Sequence, residues 1–299
     1  MSNYIYPGQN TTLEELTLEN ALAELRWPDS NEVADQIATT FSGALSVSFA
    51  PTNPWFLNHV LGDPPTAGGE GSPPYSYTWT PVGGGENVQS SRWFIGFDLA
   101  SSTTERVLEG VVFPQMTVEA GVGEMPRVSL TGFYGDESSA TSLTDYTGSI
   151  VGDEDPLVFH QGDLQIPQAT SLARMDQCTF TVQTGARAQR DWQRHPLDAV
   201  AGSVETRLSP SKVPTDQNTL DLAYGGSAAP ATTVSGAADA RLKFGSPGDH
   251  SLQIDVQDVT PNTYGWQNVL DQGTDTLEDT ELYCGALSIT GESSQSSAV

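Results

Sequence analysis

The stretch Gln115-Met-Thr-Val-Glu-Ala-Gly-Val-Gly-Glu-Met-Pro-Arg-Val-Ser-Leu-Thr-Gly132 decides the fold. Met116, Val118 and Ala120 alternate with Gln115, Thr117 and Glu119. After a turn around Gly121 to Glu124, Val128 and Leu130 alternate with Arg127, Ser129 and Thr131. Side chains of a strand point to opposite faces with period two, so this pattern predicts an antiparallel hairpin with one buried and one wet face.

The same period recurs on either side. Leu45, Val47 and Phe49 show it, as do Tyr75, Tyr77 and Trp79, and Trp93, Ile95, Phe97 and Leu99. It returns at Cys178, Phe180 and Val182, at Leu252, Ile254 and Val256, and in a last strand over Leu282–Ile289. Residues 135–170 read as a loop-rich excursion with a short strand near Leu157–Phe159. Residues 115–121 and 179–185 echo one another weakly, a match too short to separate duplication from chance.

Two helical signals interrupt the β pattern. Trp55–Leu61 reads as a short helix closed by Gly62. Over 11–26, Thr12 and Glu15 have capping-box spacing, and Leu13, Leu16, Leu22 and Leu25 fall on one helical face. A second helical or mixed segment is expected over 31–40. The chain is therefore expected to be mainly β: an N-terminal arm with a helix over 1–40, a β domain over 41–290 and a disordered tail over 291–299.

Charge sets the environment. The chain has 38 acidic and 12 basic residues, a net charge of −26 over 299 residues, and only Lys212 and Lys243 are lysine. The acids are spread from Glu14 to Glu292 rather than gathered in a tail. Such a surface repels itself in dilute buffer and is tolerated when salt shortens the Debye length to about 3 Å near 1 M. The composition points to a protein made for brine. It also argues against a grip on nucleic acid, because no basic patch displaces counterions from phosphates. No stretch approaches the length of a membrane span, and the start has no basic n-region or apolar run of a signal peptide.

Reactive arrangements are not evident. The chain has no G-x-S-x-G, no phosphate-binding glycine loop and no H-E-x-x-H, and its four histidines are scattered. No catalytic residue, metal ligand or cofactor is expected. Asp153-Glu154-Asp155 and the run Asp271, Asp275, Glu278, Asp279 offer oxygens to a cation, but without the spacing of a calcium loop they read as solvated faces. Cys178 and Cys284 read as buried thiols on strands, with a disulfide left open. Arg187, Arg190 and Arg194 gather around Trp192 in the only basic concentration. That group reads either as a subunit contact, with arginines meeting a neighbour's carboxylates, or as a local ion-paired loop.

The order of segments resembles the major tail tube proteins of long-tailed viruses. The resemblance lies in the strand at Leu45–Phe49, in Pro54-Trp-Phe-Leu57 with His59-Val-Leu-Gly62, and in Leu108-Glu-Gly-Val-Val112. It continues through Met116-Thr-Val-Glu-Ala120, Arg127-Val-Ser-Leu-Thr-Gly-Phe-Tyr-Gly135, Cys178–Thr184 and Leu220-Asp-Leu-Ala-Tyr-Gly-Gly226. It covers 41–290 discontinuously and rests on pattern rather than on invariant residues.

The resemblance implies a tail-tube-type β-sandwich or barrel that self-assembles into hexameric rings. The rings stack into a conduit for viral DNA in the virion of a virus of a halophilic archaeon, and the protein is made in the host cytoplasm. Tape-measure and baseplate or terminator proteins would be further partners; DNA would pass without specific binding. Taking about four lumen strands per subunit, a ring has about 24 strands and a backbone diameter of about 48 Å, which clears a DNA duplex. On this reading the polar face of the hairpin lines the bore through Gln115, Thr117, Glu119, Ser129 and Thr131, with Arg127 paired to a carboxylate. Arg187, Arg190, Trp192 and Arg194 form the candidate subunit interface. A capsid decoration or adhesion β-sandwich is the alternative, and an enzyme on a β scaffold a third.

Overall fold

A computed structural model describes the chain except residues 1–3, 27, 29–32, 63–64, 69–70, 145–149, 152–154, 227–229, 233, 235–237, 248–249, 270, 272 and 296–299. The fold is mainly β. In chain order the elements used here are β1 (Gly8–Arg26), β2 (Val33–Pro51), a 3-10 turn (Trp55–Leu57) running into α1 (Asn58–Leu61), β3 (Tyr75–Trp79), β4 (Ser91–Asp98) and β5 (Thr103–Gly121). There follow β6 (Arg127–Tyr134), β7 (Asp136–Ala140), β8 (Val158–Gln165), β9 (Met175–Gln183) and β10 (Glu205–Lys212). The series ends with α2 (Asn218–Ala223), β11 (Ala238–Gly245), β12 (Ser251–Gln267), β13 (Leu277–Cys284) and β14 (Leu287–Ser293).

One antiparallel run has the order β1-β2-β6-β5-β9-β10-β13-β12. The last partner in that run is the C-terminal half of β12, Thr260–Gln267. The N-terminal half of β12 turns into a second run, pairing β11 on one side and β14 on the other, with β8 beyond β11 and β3 beyond β14. The N-terminal half of β5 separately pairs β4 and β7. One core joins the two runs. Val47, Val128, Leu130, Met116, Val118, Phe180, Val182, Leu208 and Leu282 come from the first, and Trp79, Leu242, Phe244, Leu252, Ile254 and Ile289 from the second. The sheet does not close into a barrel within the chain.

The short helical passage is as its sequence implies. Gly62 closes α1 at φ +81°, a conformation that favours glycine. Trp55 and Trp79 are fully buried edge to face, and the Trp79 indole N–H donates to Asn58 Oδ1 at 2.6 Å. Burying such rings is worth more than about 2 kcal/mol each, and the hydrogen bond removes the cost of a stranded N–H for Trp79, whereas the buried Trp55 Nε1 has no partner.

Four expectations need correction. Residues 11–26 are not a helix: β1 is a strand laddered against β2, with Leu13 opposite Val47 and Leu16 opposite Leu45. The physical reason is tertiary pairing, since β2 carries the core residues Leu45, Val47 and Phe49 and has a free edge to fill. Residues 33–40, expected helical or mixed, are the outer part of β2, while 31–32 lie outside the described residues. The stretch expected as one strand, 282–289, is two, parted at Gly285–Ala286. The expected disordered tail begins too early, because 291–293 belong to β14; 296–299 lie outside the described residues.

Candidate functional site: a polar face across eight strands

The first run of strands presents its core to one side and a polar face to the other. Register places residues of neighbouring strands side by side, so the face can be read in rows. One row crosses every strand in turn: Thr12, Ser48, Ser129, Thr117, Thr181, Arg207, Tyr283 and Thr260. A second row is Glu15, Ser46, Thr131, Gln115, Gln183 and Glu205, and a third Arg127, Glu119, Thr179 and Ser209. All six lining candidates, Gln115, Thr117, Glu119, Arg127, Ser129 and Thr131, therefore lie on this one face.

These rows hold two arginines and three glutamates among hydroxyls and amides, and Glu14 and Glu281 reach the same face at Ser46 and Arg207, so the face shares the acidic excess of the chain. The arginines are also occupied. Arg127 Nη2 donates to Ser48 Oγ at 2.7 Å and Thr12 Oγ1 at 3.1 Å, which corrects the expected carboxylate pairing: hydroxyls from β1 and β2 come within its reach first. Arg207 lies 3.3 Å from Glu281 and 3.9 Å from Glu205, and its guanidinium stacks over Tyr283 at 5.1 Å. A hydroxyl surface with paired charges binds polyanions weakly, because little counterion release accompanies contact.

The basic loop does something different from what its sequence suggests. Arg190 donates to the main-chain carbonyls of Phe41 and, at 2.8 Å, of Arg194; Arg194 donates to Asn20 Oδ1. The Phe41 N–H in turn donates to the Arg194 carbonyl at 3.1 Å, and the His195 ring stacks on Phe41 at 5.1 Å. The loop is thus a bracket that fixes the β1–β2 hairpin at Asn20 and Phe41, and Arg190 and Arg194 are spent inside their own chain. Arg187 is exposed at the start of a short strand, and Trp192 projects fully into solvent from the tip of the bracket.

A second clamp holds the same hairpin. Tyr134 lies over Gly43, where any Cβ would run into its ring. The Tyr134 hydroxyl is 2.8 Å from both the Thr17 carbonyl and Glu137 Oε2 and accepts from Arg106 at 3.1 Å. Arg106 and Glu137 form two 2.6 Å contacts. Burial, then hydrogen bonding to Glu137, pushes the Tyr134 hydroxyl well above its ordinary range, so it remains a donor.

The described residues of the acidic run 271–279 form no cation site. Glu278 Oε1 lies 2.5 Å from Lys212 Nζ in a fully buried ion pair, and its other oxygen accepts from Tyr264 at 2.7 Å. Asp279 accepts from Gln267. Asp153 and Glu154 lie outside the described residues. Among the described residues no group of His, Cys, Asp and Glu is placed to hold a metal ion, and both cysteines are free thiols. A small hollow beside Asn53, Leu157, His250 and Glu292 is too small for a substrate. No described helix is long and apolar enough to cross a membrane.

Sequence reasoning found the hairpin part of the face and missed its breadth. Ser46 and Ser48, and Thr179, Thr181 and Gln183, carry the same period-two signal, but only register shows that they share one face with the hairpin. The contribution of β10 was hidden by Pro210, which argues against an interior strand. No family model matches the chain, and no curated protein matches it.

Proposed function

We propose that this chain is a structural virion protein, a subunit that self-assembles into rings that stack as a tail tube and let viral DNA pass during ejection. The observation that carries the reading is a continuous hydroxyl- and amide-rich face across the open run of eight strands, whose two arginines are both engaged within the chain. A conduit must not hold what it carries: cations on its wall would bind phosphate, and dense carboxylates would resist entry. Gln115, Thr117, Glu119, Arg127, Ser129 and Thr131 are the lining residues in this reading, within the larger face. The remaining acidity keeps subunits apart in dilute buffer and is screened where the virus lives, in the salt of a halophilic host.

Support also comes from the outward Trp192 on its rigid bracket, a shape suited to an interface anchor. The same feature fits the second reading, a decoration or adhesion module of a virion or cell surface. The test separates them. Thr117→Cys and Thr131→Cys chains are assembled in multimolar salt and treated with a small maleimide or with one carried on a large polymer. A lumen admits the small reagent and excludes the large one, whereas a solvent-facing sandwich reacts with both. Equal labelling by both reagents refutes the lining assignment.

A further inference from the structure

One hydroxyl joins two parts of the chain that share no strand pairing among the described residues. The first is the outer arm, the stretch of the β1–β2 hairpin beyond Thr17 and Gly43, where the two strands ladder only with each other. The second is a small sheet made of β4, the N-terminal half of β5, and β7. Its strands leave the main run together at two facing glycines. Gly110 on β5 sits at φ +68°, a conformation that favours glycine, and the Gly135 N–H donates to the Glu109 carbonyl at 2.9 Å.

Tyr134, the last residue of β6, crosses β2 because Gly43 has no side chain to stop its ring. Its hydroxyl carries one hydrogen but has two acceptors at 2.8 Å, the Thr17 carbonyl of the arm and Glu137 Oε2 of the small sheet. It cannot give that hydrogen to both. Arg106 on β5 decides between them, since it holds Glu137 through two 2.6 Å contacts. With the carboxylate charge met by the guanidinium, the hydrogen is left to Thr17. Without that grip, a carboxylate only 13% exposed draws the hydrogen from a neutral carbonyl, because charge-assisted hydrogen bonds are about twice as strong as neutral ones. We propose that the Tyr134 hydroxyl is a latch, tying down the arm only while Arg106 holds Glu137. Any displacement of β5 against β7 is then felt as a loosening of the arm, although neither Arg106 nor Glu137 hydrogen-bonds an arm residue among the described residues.

The test is hydrogen exchange, read by mass spectrometry, at the arm amides of 18–26 and 33–40 of the full chain in multimolar salt. The natural sequence is compared with Arg106→Gln, Glu137→Ala, Tyr134→Phe and Arg106→Gln/Tyr134→Phe, at a concentration where sedimentation gives all of them the same particle size. Arg106→Gln is expected to speed arm exchange by about 2–10-fold, the effect of losing one hydrogen bond. Glu137→Ala removes the competing acceptor and should leave the arm no faster than in the natural chain. The double variant should match Tyr134→Phe alone, since the latch is already cut. A purely structural ion pair would speed the arm alike in both single variants. The latch is overturned if Arg106→Gln leaves arm exchange unchanged, if Glu137→Ala speeds it equally, or if the double variant exceeds Tyr134→Phe. Should Arg106→Gln melt early, Arg106→Met, which keeps the apolar stem without the charge, replaces it with the same expectations.

Discussion

Glu278→Gln isolates an electrostatic interaction buried beyond the reach of salt. Lys212 and Glu278 face each other across β10 and β13, both fully buried, with Nζ and Oε1 2.5 Å apart. At an effective dielectric of about 20 their attraction is about 7 kcal/mol, and desolvating the two ions costs several kcal/mol each, so the intact pair is close to break-even. Removing only the carboxylate charge leaves a buried ammonium uncompensated, at about 3–5 kcal/mol. Tyr264 keeps an acceptor in the glutamine, so the loss belongs to the charge. With an unfolding entropy of about 2.1 cal/mol/K per residue, a chain of 299 residues loses about 5–8 °C in melting temperature. Thermal melting followed by circular dichroism reads this at about 1 M and about 3 M salt, where exposed charges are already screened. The drop should be equal at both. Lys212→Met/Glu278→Gln should recover most of it. A drop under about 2 °C, or one that shrinks as salt rises, would show that the pair is open to solvent and refute the reasoning.

Three further expectations follow from the clamps and buried groups. Tyr134→Phe keeps the ring over Gly43 but loses the hydroxyl held by Thr17, Glu137 and Arg106; it should cost about 1–3 kcal/mol and speed exchange in the arm, and unchanged arm exchange would contradict the clamp. Burial lowers His59 from 6.5 to about 4, so over that interval the unfolded chain binds a proton that the native chain refuses. Stability should therefore fall as pH drops from 6.5 toward 4, and His59→Gln should flatten the slope of denaturation midpoint against pH above the carboxylate range; an identical slope in both chains refutes the assignment. Burial pushes the Cys178 and Cys284 thiols up to about 12, so a maleimide near neutral pH should label neither quickly in the native chain and both after denaturation. Fast native labelling, or a loss of two hydrogens in mass that a reductant reverses, would contradict the free thiols.

What the sequence disclosed depended on whether a residue's partner was local. The hairpin 115–131 was legible because alternation and its turn lie within one window, and the buried face of Met116, Val118, Val128 and Leu130 reports itself. The helical passage at Trp55–Gly62 was legible for the same reason. The arm was misread because helix signals are local, while its strand form depends on β2 and on contacts further away. The bracket was not legible because the partners of Arg190 and Arg194, Phe41 and Asn20, lie more than a hundred residues earlier in the chain. The breadth of the polar face needed the register of eight strands, which alternation within each strand does not fix. That both of its arginines are engaged within the chain, the property that bears on function, emerges only once those rows are assembled.

The most direct test of the account is electron microscopy of the purified natural chain held in multimolar salt. The account predicts hollow rods or stacked rings whose bore clears a duplex about 20 Å across, lined by the polar face. A field of monomers or small closed particles with no bore would contradict it.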